Sequence, residues 1–162
     1  MKTIFGLFER YGNARQITGE LLDLGFDEGD VNVLVRDDVA KGDMQVDLEK
    51  VRTQATKEVG QKTVRGLAAI LGTEVPVDVP VLGGLYAAGD LATIAVKAAT
   101  GGPKGLEQGL IDLGLSESVS ESYRVGVEKG SFLVWIRSDD EQAAEVMRIF
   151  RENAKQVIAH DD

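Results

Sequence analysis

Apolar residues concentrate in two short blocks, one near each end of the chain, and each block opens the same succession of patterns. Residues 3–8, TIFGLF, carry apolar and β-favouring side chains on both alternation faces, which suits a strand in the interior of a sheet. A turn at Tyr11, Gly12 and Asn13 follows. Asn13 with Gln16 three residues on reads as a helix start, and Ala14, Ile17, Leu21 and Leu24 then build one helical face. Gly25 supplies the left-handed stop, and residues 31–35 predict a second strand. The C-terminal block repeats this order. Residues 131–137 predict a strand whose core, FLVWI, is apolar at every position, so both of its faces need cover. Ser138 and Glu141 form a capping-box pattern, Ala143, Met147, Phe150 and Ala154 a helical stripe, and residues 156–159 a short last strand.

Two βαβ units in tandem, separated by a long segment, predict an α+β fold: a ferredoxin-like split βαβ…βαβ antiparallel sheet with a helical, Gly/Ala-rich insertion between the halves. In that arrangement the first strand of each unit lies at the centre of the sheet. The expected organisation is a single domain over residues 1–162. Its parts are a first half at 1–38, the insertion at 39–105, connecting helices at 106–130 and a second half at 131–162. The LLDLGF of residues 21–26 recurs as LIDLGL at 110–115, which predicts two amphipathic helices closing on glycine. Beyond the second, Ser118 and Glu121 match a capping box, and a helix bearing Val119, Tyr123 and Val127 should run to Gly130.

The insertion differs in character from both halves. Residues 39–62 are polar, with only Leu48, Val51, Ala55 and Val59 as a thin helical stripe. Pro76, Pro80, Gly83 and Gly84 then punctuate the chain, and a helix is expected over 85–99. On it Gly84, Ala88 and Ala92 recur every fourth position as a close-packing or interface ridge. The same spacing serves transmembrane helices, but Asp78, Asp90 and Lys97 interrupt the segment well short of the roughly 18 uncharged residues a span needs. Packing within the protein or between subunits is the better reading, and membrane association is not expected.

Composition narrows the chemistry. A formal net charge of -9 opposes attraction to phosphate backbones or anionic lipid, so nucleic acid is not an expected partner. With no cysteine in the chain there are no disulfides, thiolate metal sites or thiol nucleophiles. The opening MKTIFGLFER lacks the pattern of a signal peptide, which leaves cytoplasmic residence as the expectation. The sole histidine, His160, reads as a frayed tail residue, and without it the serines at 116, 118, 120 and 122 have no base and read as caps or exposed helix positions. Asp37, Asp38, Asp43 and Asp47 lack the spacing of a calcium loop. Gly101, Gly102, Lys104 and Gly105 lack the order of a phosphate loop. Asp139 and Asp140 begin a helix and complement its dipole, and Trp135 belongs in the core. The expectation is therefore no catalytic residue, no cofactor and no metal.

In the order of its opening KTIFGLFERYGNARQITGELLDLGFDEGDVNVLVRD, its central VPVDVPVLGGLYAAGDLA and its later GLSESVSESYRVGVEKGSFLVWIRSDDEQAAEVMRIF, the chain resembles the bacterial heat-induced general stress protein family with its YflT-like domain. The resemblance implies a role under heat or general stress and carries no catalytic or ligand residues. The functional expectation is a non-enzymatic stress-response protein that acts by self-association, as a homo-oligomer such as a dimer, or by binding a protein partner. A small-molecule-binding or sensor module, with a pocket between sheet and insertion, is the alternative.

Overall fold

A computed structural model of the chain describes residues 2–27, 30–36, 38, 39, 42, 77–79, 83–88, 105–154 and 156–161. In chain order its elements are β1 (Lys2–Phe8), α1 (Tyr11–Asp23), β2 (Asn32–Arg36), β3 (Val77–Val79) and β4 (Gly83–Ala88). Then come α2 (Gly105–Asp112), α3 (Glu117–Glu128), β5 (Phe132–Ser138), α4 (Asp140–Asn153) and β6 (Gln156–Asp161). The fold is α+β. One antiparallel sheet has the order β3-β4-β2-β5-β1-β6.

Strand alternation sorts the core into two layers. On one face Ile4 and Phe8 of β1, Val33 and Val35 of β2 and Phe132, Val134 and Ile136 of β5 meet Ala14, Ile17 and Leu21 of α1 and Val146, Ile149 and Phe150 of α4. On the other, Phe5, Leu7, Leu34, Leu133 and Trp135 meet Leu106 and Leu110 of α2 and Tyr123 and Val127 of α3. Successive side chains of a strand point to opposite faces. An unbroken apolar run is thus what a strand covered on both sides requires, and β1 and β5, the two most apolar strands, pair centrally with Phe5 opposite Trp135.

The helix ends explain the repeated LxDLG motif. In α1 the Phe26 N–H donates to the Leu21 carbonyl (3.2 Å) and the Gly25 N–H to that of Leu22 (3.0 Å). In α2 Leu115 donates to Leu110 (3.3 Å) and Gly114 to Ile111 (2.9 Å). Both are Schellman closures, with Gly25 at φ 103° and Gly114 at φ 106°, where a Cβ would be strained. An apolar residue follows each glycine and sits over the last turn.

Several boundaries shift from expectation. α1 starts at Tyr11 with Arg10 as its N-cap and no side-chain cap, so Asn13 lies inside the helix. The cap of α3 is Ser116, whose Oγ accepts from the Val119 N–H, and that of α4 is Asp139, whose Oδ1 accepts from Gln142, rather than Ser118 and Ser138. Ser118 already lies inside α3, and Ser138 is the last residue of β5, its hydroxyl donating to the Asp139 carbonyl, so Ser116 and Asp139 are left to cap.

The larger correction concerns the insertion. The helix expected over 85–99 does not begin at Leu85: residues Leu85 to Ala88 belong to strand β4, which pairs β2 on one side and β3 on the other. Leu34 and its neighbours on β2 are fully buried, and β4 satisfies their backbone groups on the side away from β5. That demand outweighs the helix propensity of alanine. Residues 89–99 and the stripe at Leu48, Val51, Ala55 and Val59 lie outside the described residues. The second face of the sheet is covered by α2 and α3, which follow the insertion; the described insertion residues widen the sheet instead.

Gly6 sits at the centre of β1, opposite Val134, and the rings of Phe8 and Phe150 meet edge to face above it at 5.5 Å. A Cβ at Gly6 would lie 2.7 Å from Phe150 and 2.8 Å from Phe8, both fully buried. Gly6→Ala should therefore destabilise the protein by about 2 kcal/mol, because overpacking exceeds the fraction of a kcal/mol that alanine recovers from the unfolded chain. Urea unfolding of the two proteins measures it; an alanine variant as stable as the parent would show that the aromatic pair yields freely.

Candidate functional site: a groove between helix and sheet

Helix α3 meets β1 through a small residue. The contact is made at Gly126, where an added Cβ would fall 2.3 Å from Leu7 Cδ2 and 3.1 Å from Leu7 Cγ. A glycine inside a helix costs about 1 kcal/mol relative to alanine, so its presence marks a packing demand. Beside this contact opens a groove of about 330 Å³, lined by Leu7, Ser118, Glu121, Ser122, Val125, Gly126 and Lys129. Its floor is apolar and its rim carries one carboxylate, one ammonium and two hydroxyls. The volume is near the lower bound for small-molecule sites.

One ion pair and one charged hydrogen bond tie α3 to its neighbours. Arg124 Nε donates to Glu107 of α2 at 3.1 Å and its Nη1 to Glu128 at 2.7 Å, and hydrogen bonding to Glu128 leads the interactions that raise its pKa further above the ordinary arginine value. Arg36, at the end of β2, donates to the backbone carbonyl of Glu128 at 2.6 Å and pairs with Asp38. A cation at a helix C-terminus is favourably placed against the helix dipole. The same helix buries Tyr123, whose hydroxyl donates to the Phe5 carbonyl at 3.5 Å, and burial pushes its phenol well above the usual range. Ser120 Oγ is buried in α3 with no hydrogen-bond partner among the described residues.

The residues singled out from sequence are dispersed. Gly84 and Ala88 stand on β4, at register positions opposite Asp78 and Val33, and Ala92 lies outside the described residues. A spacing of four keeps two residues on one face of a strand as well as of a helix, which is why the pattern alone did not separate the two. His160 is not in a frayed tail: it belongs to β6 and pairs with Thr3. Asp38 is engaged by Arg36, while Asp37, Asp43 and Asp47 lie outside the described residues, as do Gly101, Gly102 and Lys104. Gly105 opens α2 and is buried. Trp135 is a core residue, 4% exposed.

The groove itself was missed by sequence reasoning. Its signal is Gly126, isolated within an otherwise regular helical pattern. Among the described residues no cluster of three or more His, Cys, Asp or Glu could hold a metal ion, and no helix is long and apolar enough to cross a membrane. Comparison with protein-family models, curated proteins and solved structures returns no match to this chain.

Tyr123 generates a pH prediction. Its folded-state pKa is raised above the ordinary 10.0, so its contribution is fully present below pH 10 and lost as pH rises through the folded value. Stability should fall by up to about 1.4 kcal/mol per pH unit above pH ~10 from this group alone. Tyr123→Phe should abolish that share of the slope. Denaturant melts of both proteins between neutral and strongly alkaline pH compare them, and parallel curves would refute the assignment.

Proposed function

We propose that this chain is a non-enzymatic general stress-response protein that acts in the cytoplasm by self-association or by binding a protein partner, on a ferredoxin-like scaffold. The order β2-β5-β1-β6 supports the scaffold, since it interleaves two βαβ units so that each unit's parallel strands flank the first strand of the other. The stress role rests on the resemblance of the opening, central and later passages.

One observation carries the reading of association: the sheet is covered by helices on both faces, yet ends in a six-residue strand, β6, with no partner on its outer side among the described residues. Chemistry in the described residues serves the fold. Arg36, Arg124, Asp139 and Ser116 are committed to ion pairs and caps. Sedimentation velocity across a micromolar concentration series should show a concentration-dependent oligomer, with a dimer as the smallest. A species that stays monomeric throughout, and captures no partner, refutes this reading.

The groove between β1 and α3 favours a second reading, a small-molecule-binding or sensor module whose pocket lies against a connecting helix rather than the insertion. A ligand present at about 100 times its dissociation constant would add about 2.7 kcal/mol of stability. A thermal-shift panel of metabolites is the test, and a uniformly silent panel counts against it.

A further inference from the structure

The two ends of the sheet differ in a way that selects one of them. β3 closes one side with three residues; in the sequence Pro76 and Pro80 bracket it, and Asp78 is its central residue. Shortness, proline and charge are the means by which natural sheets prevent edge-to-edge pairing. Among the described residues β6 closes the other side, with six residues and no proline. A strand of that length presents a row of backbone donors and acceptors to whatever strand arrives.

We infer that β6 is a self-pairing edge, at which two copies of the chain join antiparallel about a twofold axis at Ile158 to continue one sheet through both molecules. This rests on the proposal that the chain works by association, and it names the partner and the surface. Symmetry restricts the register. In an antiparallel ladder, hydrogen-bonded and non-hydrogen-bonded residue pairs alternate. A twofold axis must therefore run between a residue and its own copy, because an axis between successive residues would make two consecutive pairs identical. A closed dimer with this isologous contact uses one patch twice and leaves no further edge of the same kind.

Charge and polarity then select the direction and the central residue. In the sequence Lys155 directly precedes β6, while Asp161 and Asp162 stand at its opposite end. An antiparallel copy brings the basic end of each strand to the acidic end of the other; a parallel one would set like charges together. With the axis at Ile158, Val157 stands opposite Ala159 and Gln156 opposite His160, each twice. Moving the axis to Ala159 sets Val157 against Asp161 and Ile158 against His160. Moving it to Val157 sets Gln156 against Ile158. Ile158 alone matches apolar with apolar and polar with polar.

The chain contains no cysteine, so a single introduced thiol reports without background. Directly opposed residues in an antiparallel pair have Cα atoms about 4.5–5.5 Å apart, within the range a disulfide spans. Ile158→Cys should therefore oxidise to a disulfide-linked dimer. Gln156→Cys should not, since its copy lies four positions away along the partner strand. Lys155→Asp and Asp161→Lys should each weaken dimerisation about tenfold in sedimentation equilibrium, and the double variant should restore it. Far-UV circular dichroism matching the parent's establishes that the reduced variants are folded, and the charge variants read the same register without altering Ile158. A parent dimer untouched by the charge changes, with the two cysteine variants cross-linking alike, would place association on another surface and overturn this inference alone. A parent that is monomeric at every concentration would overturn the inference, and only if it also captures no protein partner would the reading it rests on fall with it.

Discussion

The structure depends on the register between β1 and β5. Because side chains alternate, one alignment, with Phe5 opposite Trp135 and Ile4 opposite Ile136, delivers two complete apolar surfaces at once. A slip of one residue would exchange the faces of an entire strand. Ile4 and Phe8 would leave α1 and α4, and Phe5 and Leu7 would leave α3. Neither set fits the other's place, since Gly6 is shaped around the Phe8 and Phe150 rings and Gly126 around Leu7. Asn32 adds a polar pin: its Nδ2 donates to the Trp135 carbonyl at 3.3 Å, fixing β2 against β5 where the two strands meet. Each buried strand is thereby held by contacts that only one alignment satisfies.

That dependence explains which parts of the fold were legible in the sequence. Ala14, Ile17 and Leu21 sit on the buried face of α1 as their spacing required, and Tyr123 and Val127 on that of α3. Gly25 and Gly114 close their helices as the repeated motif implied. These are local signals with a single period. The caps were less secure, because Ser116 competes with Ser118, and Asp139 with Ser138, within one turn, and where the helix and the preceding strand end decides between them. Residues 83 and 84 were read as punctuation and residues 85–88 as the start of a helix, and there the decision is tertiary. Gly-Gly-Leu-Tyr-Ala-Ala has no strong period of its own, and the open side of β2 determines its state.

The groove illustrates a different limit. Its lining comes from β1 and α3, elements more than a hundred residues apart, and no spacing along the chain announces such a meeting. What the sequence does carry is the cost. A glycine at position 126, between Val125 and Val127 in a helix that ends only at Glu128, weakens that helix by about 1 kcal/mol unless something needs the room. The Leu7 side chain needs it.

The net charge of -9 bears on how such a chain could meet another copy. Two acidic molecules repel at long range, and at physiological ionic strength that repulsion is screened beyond about 8 Å. A broad face-to-face contact would gather many carboxylates inside that distance. An edge contact gathers few, because its attraction comes from backbone hydrogen bonds, which carry no net charge and run along one narrow line. The same composition that argues against nucleic acid and anionic membranes thus favours a thin, directional contact over a wide one.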